Sequence, residues 1–122
     1  MTKTQRVLRI TLLVLVTVAF LATGAFKIFG TSMEKELFAH WGYPLWFMYA
    51  VGTIEVLGAL LLHVKKLSRY GALSLIVIAV GAIGTHLTHG EGFIAPIPAT
   101  ILLLSLFGIL YLEQDTNTDI IS

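Results

Sequence analysis

Four long apolar runs leave this chain few ways to fold. They are VLRITLLVLVTVAFLATGAFKIF at 7–29, PLWFMYAVGTIEVLGALLLH at 44–63, YGALSLIVIAVGAIGTHL at 70–87 and FIAPIPATILLLSLFGILYL at 93–112. Each is close to the ~20 residues that cross a hydrocarbon layer as a helix. In lipid the backbone has no water partner, so each run is expected to be helical despite its β-branched residues. Composition names the same solvent. Apolar residues make up 57 % of the 122 and charged ones 12 %, against ~25 % charged in soluble domains. So small a chain has too much surface to cover with so few charges. The expected fold is all-α: an integral membrane four-transmembrane-helix bundle, one domain over 1–122, with a polar tail at 113–122.

Charge and cysteine narrow the chemistry. A net charge of +1 argues against a nucleic-acid partner. With no cysteine, disulfide relays, thiolate metal sites and cysteine nucleophiles are excluded.

The connections are short, which makes neighbouring helices antiparallel. Pro96 and Pro98 fall in the first turns of the fourth run, where a missing amide donor costs least. The longest connection, GTSMEKELFAHWGYP at 30–44, has a pattern of its own. Thr31 followed by Glu34 matches a capping box. Met33, Leu37, Phe38 and Trp41 share one helical face, and Gly42 supplies a C-terminal stop. The expectation is a short interfacial amphipathic helix, with Trp41, Tyr43 and Trp46 at headgroup depth.

Orientation follows from the basic residues. Lys3, Arg6 and Arg9 precede the first run, and Lys65, Lys66 and Arg69 join the second to the third, whereas the other connections hold only Lys27 and Lys35. The positive-inside rule places both termini in the cytoplasm of a cell (inner) membrane protein. The basic start, apolar run and small residues 22–25 also resemble a cleavable signal peptide. The run continues to Phe29, long for such a peptide, so a retained span is the preferred expectation.

Each of three runs carries a polar or small-residue stripe: Thr17, Phe20, Gly24 and Lys27; then Gly52, Glu55, Gly58 and Ala59; then Gly71, Ser74, Ile78, Gly81 and Thr85. Such stripes let membrane helices approach closely and are expected to face the interior. Glu55 is the exception that demands a reason, because a charge at the centre of a span costs ~2.5–3.5 kcal/mol. Either it pairs or it holds a proton. Cβ vectors lean toward a helix N-terminus, so Lys27, Glu55 and His86 are expected to converge in the outer half of the bundle. Intramembrane acids are functional by default. HLTHGE at 86–91 sets His86, His89 and Glu91 near one another, but too few ligands accompany them for a metal site. A solute or proton pathway would need several copies of so small a bundle.

The residues GAFKIFG, FAHWGYPLWFMYAVGTIEVLGALLL and AVGAIGTHLTHG resemble the DoxX-like membrane proteins in order and spacing. The Gly-x-x-Lys of that pattern falls on Gly24 and Lys27, the Gly-Tyr-Pro on Gly42, Tyr43 and Pro44, the Gly-x-x-Glu on Gly52 and Glu55, and the Thr-His on Thr85 and His86. The resemblance implies four transmembrane helices and an association with membrane redox metabolism, in some relatives linked to quinones. Another branch looks like an assembly chaperone for channels. Cysteine motifs of some redox relatives are missing here, which puts direct thiol chemistry in doubt. The resulting expectation is a ligand-binding site of Lys27, Glu55, His86, Thr85, Gly52 and Gly24 for a quinone-like or other lipophilic molecule, in a membrane redox-accessory subunit. The alternative is a non-catalytic assembly subunit for another membrane protein. Expected partners are membrane lipid, a membrane redox enzyme or other membrane protein, and a second copy in a homodimer. No catalytic residue is assigned.

Overall fold

The computed structural model describes residues 2–121, with side chains through Glu113; those of 114–122, most of the expected polar tail, lie outside the described residues. Five helices follow one another: α1 (Lys3–Ile28), α2 (Ser32–His40), α3 (Leu45–Leu61), α4 (Ser68–Thr88) and α5 (Ile97–Ile121). The described residues contain no strand. α1 packs on α3 and α5, and α4 packs on the same two helices, so the four long helices form a ring with α1 diagonal to α4.

Leu13, Val16 and Phe20 of α1, Ala59 and Leu62 at the end of α3, Ala72 and Leu75 of α4, and Leu106 and Ile109 of α5 make the core. The opposite faces are as apolar as the core. Val18 is 62 % exposed, Val77 69 % and Leu104 64 %. Water does not tolerate stripes of this kind around a monomer, but acyl chains do. α1 and α4 are long and apolar enough to cross a membrane by themselves. α3 has 17 residues, at the lower end of the ~17–25 that suffice. α5 contributes the shorter apolar stretch Ile97–Glu113.

Two glycine crossings set the helix spacing. A Cβ on Gly24 would lie 2.9 Å from the Gly52 carbonyl oxygen, and one on Gly52 would lie 2.8 Å from that of Gly24. Likewise a Cβ on Gly71 would meet the Gly58 carbonyl at 2.7 Å. The backbones of α1 and α3, and of α3 and α4, therefore touch.

Several expectations need correction. The stripe on α4 is displaced: Gly71, Ala72, Leu75 and Ala79 are buried, whereas Gly81 is exposed with open space where its side chain would stand. Ser74 gives its hydroxyl to the Tyr70 carbonyl 2.9 Å away. The helix of the fourth run, α5, starts at Ile97, and residues 92–96 are turn, with Phe93 86 % exposed. Pro98 still falls in its first turn. Glu113 is drawn into the bundle: one carboxylate oxygen accepts from the Arg9 guanidinium at 3.5 Å and the other from the Ser68 hydroxyl at 3.1 Å.

The capping box at Thr31 does not form. The α1 helix ends on Gly30, whose φ of +66° suits glycine best. The Thr31 amide then donates to the Phe26 carbonyl at 3.1 Å, so the amide a Glu34 side chain would cap is already used. Thr31 Oγ1 is left buried without a partner among the described residues, and Glu34 turns elsewhere. α2 exists as expected and ends at Gly42 through a Tyr43 amide bond to the Phe38 carbonyl, 2.9 Å. It meets α3 at 117°. Its expected apolar face is split: Phe38 is buried with Glu34, while Met33 is 60 % exposed and Leu37 36 %.

Candidate functional site

Lys27 stands one residue before the end of α1, on the buried stripe Phe20–Gly24–Lys27. Glu55 stands mid-way along α3, on the stripe Met48–Gly52–Glu55–Gly58–Ala59. The glycine contact one turn below each residue brings the two stripes together. Lys27 Nζ lies 3.1 Å from Glu55 Oε1 and 3.6 Å from Glu34 Oε1. Glu55 Oε2 accepts a 2.5 Å hydrogen bond from the Thr23 hydroxyl. Lys27 is 9 % exposed, Glu34 7 % and Glu55 3 %. One ammonium and one hydroxyl thus face two carboxylates in a nearly closed site. Burying the Lys27–Glu55 pair costs desolvation that its close geometry offsets. Glu34 prefers this ammonium to a cap because a charge-assisted bond in low dielectric outweighs a neutral one.

A second polar cluster lies at the loop after α4. Gly90, at φ +66°, reverses the chain so that the Glu91 amide donates to the His86 carbonyl at 3.3 Å. That turn also brings the Glu91 carboxylate back over His86. Glu91 Oε2 lies 2.7 Å from His86 Nδ1. A carboxylate can only accept, so Nδ1 carries the hydrogen. The Trp41 indole donates to Glu91 Oε1. Together, first the indole and then the imidazole hold the Glu91 carboxyl below the ordinary carboxylate range. Trp41 also sets its ring edge-on to the His86 ring, centroids 5.5 Å apart. Beside them the Tyr43 hydroxyl and Thr85 Oγ1 are 2.8 Å apart. Thr85 gives its own proton to the Gly81 carbonyl, so Tyr43 is the donor. His89 turns to the Thr85 carbonyl at 2.8 Å; the histidines of HLTHGE therefore serve different partners.

The structure thus brings together Lys27, Glu55, Gly24 and Gly52, and it puts Thr85 and His86 in a separate cluster. The reason is topological: α1 and α4 are diagonal in the ring, and α3 stands between them. His86 finds its acid in the next loop. Gly24 and Gly52 meet as helix-contact residues. Sequence reasoning missed Glu34 and Thr23 in the first cluster, and Trp41 and Tyr43 in the second; it set Glu91 near His86 but weighed it only as a metal ligand. Glu34 follows Lys27 by seven residues across a turn, a signal masked by its resemblance to a cap. Trp41 and Tyr43 were expected as headgroup aromatics; their polar tips point into the protein.

Comparison with known proteins agrees with the residue pattern. The DoxX-like family matches residues 11–108. "Uncharacterized protein YdgD" of Bacillus subtilis (strain 168) is 33 % identical over 92 residues, covering 71 % of this chain and 81 % of that protein. No solved structure matches. With its apolar helices and a family match that spans the Lys27–Glu55 crossing, the chain is a membrane protein and belongs to the DoxX-like family.

Proposed function

We propose that the chain is a multi-pass protein of the cell (inner) membrane in which α1, α3, α4 and α5 all cross the bilayer with both termini in the cytoplasm. The ring supports this. If α1 and α4 span, then α3 and α5, each packed against both, lie at the same depth. The six cations of the N-terminal segment and the α3–α4 connection give the direction.

At its outer end such a bundle would bind a lipophilic molecule with hydrogen-bonding oxygens, of which a quinone is the best-fitting class, and would serve as a membrane redox-accessory subunit. The observation that carries this reading is the Lys27 ammonium. It is buried beside two carboxylates, 3.1 Å from Glu55 and 3.6 Å, beyond hydrogen-bond length, from Glu34, so its three N–H groups are not all engaged among the described residues. An N–H left over suits a carbonyl oxygen. The surplus carboxylate capacity of Glu34 suits a hydroxyl. The chain itself orients the oxygens and excludes water; electron transfer would belong to the bound molecule and a partner enzyme. The test is thermal stabilisation by a short-chain quinone in detergent. The wild-type melting temperature is expected to rise with quinone, and that of Glu55→Gln to stay put while its helix content is retained. An equal rise in the variant refutes the site.

The Gly24–Gly52 contact favours a second reading. Backbone against backbone leaves little room on that side of the pair, so Lys27 and Glu55 would fix helix register. The bundle would then stabilise or assemble another membrane protein, or pair with a second copy. Co-purification of a stoichiometric protein partner with no small ligand supports this reading over the first.

A further inference from the structure

The opposite end of the bundle holds a different kind of site. A cleft of about 250 Å³ opens where the α3–α4 connection enters α4, lined by Lys65, Lys66, Arg69 and Tyr70, with Leu110 and Glu113 of α5. That volume is below the ~300–1,000 Å³ of sites for drug-sized ligands and suits a single small polar group. Its charge is unbalanced. Among the described residues none of Lys65, Lys66 and Arg69 has an ion-pair partner. The acid at its edge, Glu113, is already engaged at both oxygens by Arg9 and Ser68. Leu67, the N-cap of α4, supplies no side-chain acceptor, so the positive end of a 21-residue helix stands beside the three cations.

The surroundings say what kind of anion fits. Tyr70 lines the cleft, and Leu73 and Val77 follow it at helical spacing; they are 62 %, 47 % and 69 % exposed. On α5, Phe107 precedes Leu110 by one turn and Leu104 lies one turn further; they are 51 % and 64 % exposed. An anionic cleft ligand with an apolar tail would find bare hydrocarbon surface directly along both helices. We propose that Lys65, Lys66 and Arg69 form a binding site for the phosphate of an anionic phospholipid headgroup, whose acyl chains lie along the outer faces of α4 and α5.

The test uses the full chain in detergent, titrated separately with phosphatidylglycerol, phosphatidylcholine and inorganic phosphate, with thermal stability and lipids retained in native mass spectrometry as readouts. Phosphatidylglycerol is expected to be retained and to stabilise, phosphatidylcholine to do neither, and millimolar phosphate not to displace the lipid. Lys65→Gln, Lys66→Gln and Arg69→Gln are each expected to weaken retention roughly fivefold, as for a surface cation near anionic lipid. Lys3→Gln with Arg6→Gln removes two charges from the same end outside the cleft and is expected to leave retention unchanged. Equal loss in that control would mean diffuse attraction, and stabilisation by phosphate alone would mean a soluble-anion site; either result overturns the proposal, as does equal retention of both lipids.

Discussion

Two polar clusters lie on the side of the bundle away from the basic cleft, and they are built on opposite terms. Lys27, Glu34 and Glu55 are nearly sealed from solvent by a backbone contact between two helices. Trp41, His86 and Glu91 are assembled by loop turns, and the His86 and Glu91 side chains are each 21 % exposed. In the first cluster little water can reach in to replace a lost partner. In the second it can. The same kinds of group therefore have very different consequences when removed, and only the first has the dry, charged setting in which a ligand oxygen would gain much from a single N–H.

The largest expected effect follows from stranding the buried acid. Lys27→Met is predicted to destabilise the bundle by ~3–5 kcal/mol, the usual result of leaving a buried charge alone. The double variant Lys27→Met with Glu55→Leu is predicted to recover the part of that loss that Glu55 causes, with Glu34 left as the remaining buried acid without its ammonium. Thermal unfolding in detergent checks both; a double variant as unstable as the single one would mean that the pair itself holds the helices together.

An intermediate effect is expected at the seam. Gly52→Ala must displace both the Lys27 Cβ, 2.7 Å from the added methyl, and the Gly24 carbonyl oxygen, 2.8 Å from it, and overpacking of this kind costs ~1–3 kcal/mol. Gly81→Ala, on the open side of α4, is predicted to be neutral or slightly stabilising. If the two behave alike, the α1–α3 contact is looser than described.

The smallest effect belongs to the exposed cluster and depends on pH. The Glu91 carboxyl is held below its ordinary value. Its contribution is therefore complete above the ordinary carboxylate range, near ~4.3, and fades as pH falls through the depressed value. Glu91→Gln is predicted to remove that acid-side component while leaving neutral-pH helix content intact. Trp41→Phe is predicted to shift it toward ordinary carboxylate pH. The groups acting on Glu91 are the Trp41 indole, His86 and, at longer range, His40, so the measurement is thermal stability against pH from 3 to 6 with the histidines kept constant. A pH profile unchanged in both variants would show that the cluster contributes nothing to acid stability.

What the sequence made legible was whatever depends on local spacing. The helical stripe of Gly52 and Glu55, the Lys27 stripe and the Gly42 stop are short-range patterns, and the helices that carry them appear where expected. The pairing of Lys27 with Glu55 followed from direction and from the cost of a lone acid in hydrocarbon. What spacing could not give was the order of helices around the ring. That order separates His86 from Glu55 and hands it to Glu91. Competition for a single amide was equally hidden. Thr31 and Glu34 fit a cap by themselves, yet the end of α1 takes the Thr31 amide and Lys27 takes Glu34. On α4, glycines suggested a seam at Gly81 that alanines and Leu75 supply one stripe away.

Native mass spectrometry of the protein drawn from its own membrane decides whether the Lys27–Glu55 site holds a ligand oxygen. A small lipophilic molecule is expected on the wild-type chain and is expected to be missing from folded Glu55→Gln. A wild-type chain that emerges with a protein partner and no small molecule, or a variant that keeps the same adduct, would contradict that assignment.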